Sequence, residues 1–288
     1  MAILVTGSTG TIGAQVLAAL DGQSDVRALT RSPEKAQFPA GITAVKGDLA
    51  DVDSVRAALD GVSALFLLAP NAPDELTQAM LALNAARDAG IKGVVYLSVF
   101  KGAAYANVPH FIGKAAVERM IEGYAMPVTV LRPAYFIQND LTIKDVITGY
   151  GVYPMPVGTK GLAMIDVRDI AEIAAIELLR RERAAQPLPT NRINLVGPDT
   201  LTGTDIAAIW SDVLGRQINY GGGDTAAFEQ NLKQFMPPWM AYDMRMMGER
   251  FLTHGMLPEG GDVERLTTLL GRPLCSYRDF AKNTRAAA

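Results

Sequence analysis

Short aliphatic and β-branched runs recur through the first half of the chain, at residues 3–6, 26–30, 43–46, 64–68, 93–98 and 128–132. Between them lie stretches whose apolar positions fall at helical spacing, at 11–20, 33–37, 52–59, 74–89 and 110–124. Strands alternating with helices at this pace predict βαβ units, and so a doubly wound parallel sheet covered on both faces. The punctuation supports the helices. Ser32 before Pro33 has the form of an N-cap and first helical position, and Gly90 after Ala89 has the form of a C′ stop.

Beyond residue 132 the pattern loosens. Residues 149–161 carry Gly, Pro and Tyr without helical period, which suggests a loop lying over something. A helix is expected over 166–181, with Asp166 as its N-cap and Asp169 in its first turn. A strand follows at 191–196, then a helix from the Thr202 cap to Val213 that Gly215 stops, then a short strand at 217–220. From Asp224 onward the text is helical and rich in Met and aromatic residues. The expected fold is α/β: a Rossmann-type doubly wound parallel sheet with a smaller, mostly helical C-terminal substrate domain. Residues 1–136 would form the sheet domain, joined by about 163–197, and 137–162 with 198–288 the smaller region. No internal repeat or low-complexity segment is visible.

Composition narrows the partners. The 288 residues are 49% apolar and 20% charged with a net charge of -3, a balance that gives no electrostatic reason to expect nucleic acid. The densest basic cluster, Arg180-Arg181-Glu182-Arg183, reads as the solvated end of a helix, where arginines are favourably placed. The single cysteine, Cys275, excludes an internal disulfide and fits a reducing compartment. Its thiol is either reactive or inert. The longest apolar run, 62–69, is far short of the roughly 20 residues of a membrane span. A first strand at Ala2 leaves no room for a signal peptide, so a cytoplasmic protein is expected. No His/Cys/carboxylate spacing suggests a metal site, and no hydrolase nucleophile elbow is present.

The loop "TGSTGTIG" between the first strand and the first helix bears the most specific chemistry. Phosphate binding needs convergent backbone N–H groups, unobstructed by side chains, at a helix N-terminus. Gly7 permits the tight turn, Gly10 lets backbone approach a pyrophosphate, and Gly13 lets the helix lie close. Thr6, Thr9, Thr11 and Ile12 complete the expected cradle. The second strand then selects the nucleotide. An NAD site usually ends this strand with a carboxylate for the ribose 2′-hydroxyl. Here it ends Thr30-Arg31, with Lys35 one turn on. Two cations suit a 2′-phosphate, so NADP(H) is the expected cofactor, the bland alternative being a solvated face. Asp48, with Leu49 beside it, either meets the adenine edge or caps the next helix. Ala69 and Pro70 close the fourth strand at the edge where ligands bind in open α/β sheets.

Taken together, "ILVTGSTGTIG", "LTRSPEKA", "GITAVKGDL", "GVSALFLLAP", "AARDAGIKGVVYLS", "HFIGKAAVERMI" and "LRPAYF" resemble the NmrA-like branch of the atypical short-chain dehydrogenases. The resemblance runs in order over about residues 3–136 and continues weakly through "VRDIAEIAA" and "LTTLLGRPLCSYRDF". It implies a Rossmann fold, NADP(H) as ligand, and a small C-terminal domain closing a cleft. The family holds NADPH-dependent reductases of quinones, triarylmethane dyes and benzylic ethers. It also holds NADP-binding regulators without known turnover.

Ordinary short-chain dehydrogenases use a Tyr-x-x-x-Lys pair, whose lysine orients the ribose and makes the phenol a usable acid/base. None of the nine tyrosines here has a lysine four positions later. The equivalent stretch puts His110 in the tyrosine's place and keeps Lys114. That departure counts against alcohol–ketone chemistry and sugar-nucleotide epimerisation. It leaves hydride donation to an electrophile needing little acid help, with Lys114 on the nicotinamide ribose or the developing oxyanion. His110 is then a proton donor or a local hydrogen-bonding residue. Ser98 either serves catalysis or caps its strand end. Pro133, Ala134 and Tyr135 are expected beside the nicotinamide. Tyr135 and Phe136 are either stacking groups for an aromatic ligand or ordinary core. The stretch 235–256, with six methionines and Trp239, reads as an accommodating substrate surface, or as helical core or a dimer face. The leading expectation is an NADP(H)-dependent oxidoreductase reducing a small aromatic or quinone-like compound, as a monomer or homodimer. The rivals are a redox-sensing NADP(H)-binding regulator and an isomerase that uses its nucleotide transiently.

Overall fold

The computed structural model describes residues 2–286. The chain runs β1 (Ala2–Val5), α1 (Thr11–Ala19), β2 (Asp25–Thr30), β3 (Ile42–Lys46), α2 (Val52–Ala58), β4 (Val62–Leu67), α3 (Glu75–Asp88), β5 (Gly93–Leu97), α4 (Pro109–Gly123) and β6 (Val128–Pro133). It continues through β7 (Val152–Tyr153), α5 (Val167–Glu182), β8 (Asn191–Leu195), α6 (Gly203–Leu214) and β9 (Asn219–Tyr220). Four helices follow: α7 (Thr225–Leu232), α8 (Pro238–His254), α9 (Asp262–Leu270) and α10 (Tyr277–Ala286). Seven strands make one sheet in the order β3-β2-β1-β4-β5-β6-β8. The pairings from β3 through β6 are all parallel. This is the doubly wound, Rossmann-type sheet expected from the alternation.

The chain folds as two compact units. The first comprises Met1–Val99, Gly113–Arg132 and Val167–Ile193. Its central strands are buried along their whole length, as parallel strands covered on both faces must be. One face carries Leu4, Leu65, Leu67, Val94, Tyr96 and Val130 against α2, α3 and α4. On the other, α1 packs with α5, and α5 lies so near β5 that a Cβ on Gly93 would stand 2.5 Å from that of Arg181. Arg181 corrects the expectation of a solvated basic cluster. It is buried, and its guanidinium donates to Thr129 Oγ1 and to the carbonyls of Pro127, Leu188 and Pro189.

The second unit comprises Phe100–Ile112, Pro133–Asp166 and Asn194–Ala288, and is mostly helical. α6 starts at a capping box: Thr202 Oγ1 accepts from the Asp205 N–H, and the Asp205 carboxylate accepts from the Thr202 N–H. The helix ends at Gly215 with φ 67°. The indole of Trp210, buried in this unit's core, donates to the Tyr277 hydroxyl at 3.0 Å.

Three local expectations need correction. Residues 33–37 form one turn, in which the N–H groups of Lys35 and Ala36 both donate to the Ser32 carbonyl. Pro39 follows too closely for a helix to propagate. Residues 149–161 are largely buried chain rather than a covering loop. Val152–Tyr153 pairs with Asn219–Tyr220, and Gly248 on α8 approaches so closely that a Cβ there would meet Pro156 at 2.6 Å. The expected strand at 217–220 is accordingly only the two-residue β9.

Candidate functional site

The glycine loop is built by exclusion of side chains. Gly7 sits at φ +61°, and its carbonyl accepts from the Gly10 N–H at 3.0 Å. A Cβ on Gly13 would lie 2.1 Å from that same carbonyl, so the third glycine is what lets α1 close onto the loop. In front of Gly10 an added Cβ would meet only the Gly7 carbonyl, at 3.3 Å. Gly7, Thr9, Gly10 and Thr11 are exposed, Ile12 is buried, and no side chain caps α1. The result is an open helix start with backbone donors on offer, which fits a pyrophosphate.

Neighbouring strand ends hold this loop. Thr6 Oγ1 accepts from the Leu68 N–H at 2.8 Å and can donate to the Leu68 carbonyl. Ser8, which sequence reasoning passed over, donates to the Leu29 carbonyl at 2.6 Å. The loop is thereby fastened to β2 and β4, and Thr6, Gly7, Gly10, Gly13, Arg31, Ala69 and Pro70 gather at the carboxyl edge of the sheet. Arg31 and Lys35 are exposed, and among the described residues neither makes an ion pair. Asp48 forms a local turn, its carboxylate accepting from the Ala50 N–H at 3.0 Å. The cap of α2 is Asp51, which accepts from Asp53 and Ser54, so the alternative of Asp48 as helix cap is set aside. Leu49 and Ala69 are buried, and Pro70 is exposed.

Further along the same edge, two carboxylates not foreseen from the sequence engage the candidate catalytic residues. Lys114 Nζ pairs with Glu75 in the first turn of α3, their side chains 14% and 11% exposed. Ser98 Oγ donates at 2.5 Å to Glu118, which also takes Arg132 Nε at 3.1 Å to each oxygen. Ser98 is 3% exposed and its proton is directed into this ion pair. Burial, then the charges of Glu75 and Glu118, pushes the Tyr96 phenol well above its ordinary pKa.

In the second unit His110 is not alone. Its Nδ1 lies 2.5 Å from Asp243 Oδ2, and its backbone N–H donates to Oδ1 at 3.4 Å. Asp243 stands on α8, within the Met-rich stretch, and is 1% exposed. Pro133 and Ala134 are buried. Tyr135 is core: its ring meets Phe251 edge-on at 5.9 Å and its hydroxyl donates to Asp140. Asp140 also receives the hydroxyls of Tyr153 at 3.0 Å and Tyr277 at 2.5 Å. Burial raises this carboxyl to about 6, against the lowering effect of the three phenols. Phe136 is half-buried, and Trp239 is 38% exposed at the start of α8. Among the described residues no group of three His, Cys, Asp or Glu side chains is placed to hold a metal ion, and no helix is long and apolar enough to cross a membrane.

The profile of the NmrA-like family matches residues 1–276. An NAD(P)H azoreductase of Xenophilus azovorans is 31% identical over 294 residues, covering 99% of this chain and 98% of that one. A (4-alkanoyl-5-oxo-2,5-dihydrofuran-3-yl)methyl phosphate reductase of Streptomyces griseus is 30% identical, with 97% and 96% covered. The NADPH complex of a quinone oxidoreductase from Escherichia coli superposes with a TM-score of 0.86 at 25% identity, over 98% of this chain and 99% of that one. With the glycine-lined helix start, the carboxylate-free end of β2 and a family profile spanning nearly all its length, this chain belongs to the NmrA-like family.

Proposed function

We propose that this protein is an NADPH-dependent reductase that passes a hydride to small aromatic acceptors: azo compounds, quinones and conjugated cations. The observation that carries the reading is the open N-terminus of α1, which no side chain caps, together with the exposed cations Arg31 and Lys35, neither of which makes an ion pair among the described residues. The activities of the azoreductase, furanyl phosphate reductase and quinone oxidoreductase relatives support it. Gly7, Thr9, Gly10, Thr11, Ile12 and Gly13 would hold the pyrophosphate, and Arg31 with Lys35 the 2′-phosphate. Asp48 and Leu49 would meet the adenine, and Ala69 and Pro70 the nicotinamide side. Bound NADPH supplies the hydride.

Lys114 would hold the nicotinamide ribose, its charge balanced by Glu75. Ser98 belongs instead to the frame: its proton goes to Glu118, which steadies the end of β5 against α4. The test is consumption of NADPH with a panel of azo dyes, quinones and triarylmethane dyes. Turnover requiring both protein and acceptor is expected. Tight NADPH binding with no turnover across the panel would favour the redox-sensing reading.

A further inference from the structure

We propose that Asp243 is a positioning residue that holds His110 as the proton donor of the reduction, and that the pair serves neutral acceptors rather than cationic ones. The inference rests on the reductase reading above.

A carboxylate that is 1% exposed needs donors around it, since burying an unpaired charge is costly. Among the described residues both hydrogen bonds to Asp243 come from His110, one from its backbone and one from its ring. A group that only capped the start of α4 would need the backbone N–H alone. The second bond sets Nδ1 as the nitrogen facing the carboxylate, which leaves Nε2 to take up and release a proton. Phe111 fixes the ring from the side, edge-on at 4.7 Å. Nε2 makes no hydrogen bond to another described residue, and the His110 side chain keeps 14% exposure, enough to exchange protons with solvent.

The chemistry of the acceptors gives the pair its use. Reducing an azo bond takes one hydride and one proton. The N=N π bond breaks, one nitrogen gains the hydride with its electron pair, and the other gains the proton from Nε2. NADPH is oxidised to NADP+, and the imidazole recovers its proton from water. A quinone likewise takes a hydride and a proton to give a hydroquinone. A triarylmethane cation takes the hydride at its central carbon and becomes neutral, with no proton required. His110 and Asp243 therefore matter in proportion to the acceptor's need for a proton.

The test compares D243N and H110Q with the native protein, on a neutral azo dye and a cationic triarylmethane dye. The ratio of azo to cationic turnover is expected to fall about 100-fold in H110Q, the scale of general-acid catalysis, and by a smaller factor in D243N. The loss should be in kcat rather than KM. A solvent deuterium isotope effect should accompany azo reduction and be absent with the cation. Equal losses on both dyes, or no loss on either, would overturn the proposal. A native protein that reduces neither dye would instead remove the reductase reading. Nitrogen-15 NMR, simplified by there being two histidines, then still tests the pairing. Neutral His110 should carry its proton on Nδ1, with mixed tautomers in D243N. An Nε2–H tautomer in the native protein would refute the pair. Should D243N not fold, H110Q and the native spectrum carry the comparison.

Discussion

Lys114 and Glu75 form an ion pair between side chains that are 14% and 11% exposed, one on α4 and the other in the first turn of α3. The lysine retained where a dehydrogenase would pair it with tyrosine is thus pre-set by a carboxylate 39 residues earlier in the chain. Removing one partner leaves the other as an uncompensated, mostly buried charge. We expect K114M to cost about 3 kcal/mol of stability. The double variant E75Q/K114M should recover most of that loss without recovering NADPH turnover. Thermal unfolding alongside NADPH oxidation separates the two effects, and recovery of both together would make Lys114 purely structural.

Arg31 and Lys35 stand exposed just beyond β2, whose C-terminal end carries no carboxylate. Loss of a charge-assisted contact to a 2′-phosphate costs about 1.5–3 kcal/mol. R31A should therefore raise the Kd for NADPH by roughly 10- to 100-fold while moving that for NADH little. Titration of both nucleotides against both proteins decides the point; equal losses would remove the 2′-phosphate assignment.

Ser98 is 3% exposed and its hydroxyl donates to the Arg132-bound carboxylate of Glu118. S98A should lower stability by about 1.5–3 kcal/mol, the worth of a hydrogen bond to a charged group. Turnover of the folded variant should stay within about threefold of the native value. A fall of several hundredfold in kcat with stability intact would return Ser98 to the chemistry.

Asp140, buried beneath the hydroxyls of Tyr135, Tyr153 and Tyr277, has its carboxyl raised from the ordinary 3.8 to about 6. A carboxyl whose folded pKa exceeds its unfolded one adds stability that is full below the unfolded value. That stability is lost as pH rises through the folded value. Between pH 4 and pH 7 this group should therefore withdraw about 2–3 kcal/mol from the native protein as pH rises. D140N should flatten that slope in the difference between the two stability–pH curves. An unchanged slope would show that Asp140 titrates as it does in the unfolded chain.

Much of the sheet was legible because its signals are local. Buried parallel strands read as unbroken apolar runs, and the Gly7-Gly10-Gly13 turn is specified within seven residues. The capping box at Thr202 and the stop at Gly215 are equally short-range. What escaped the sequence was partnership at a distance. His110 and Asp243 are 133 residues apart, and Tyr277 reaches Asp140 across 137. No periodicity marks such pairs. Arg181 looked solvated because its neighbours are charged, and only the placement of α5 against β5 and β6 shows where its guanidinium goes. Residues 33–37 have a helix's opening and too little length before Pro39 to sustain one.

NADPH bound by this chain is expected to give up its hydride to an acceptor. The most direct measurement uses NADPH deuterated at the transferring position of C4, with a triarylmethane cation whose central carbon keeps what it receives. One deuterium is expected at that carbon in the leuco product, read by mass spectrometry. Bound NADPH with the dye unchanged, or an unlabelled product, would contradict it.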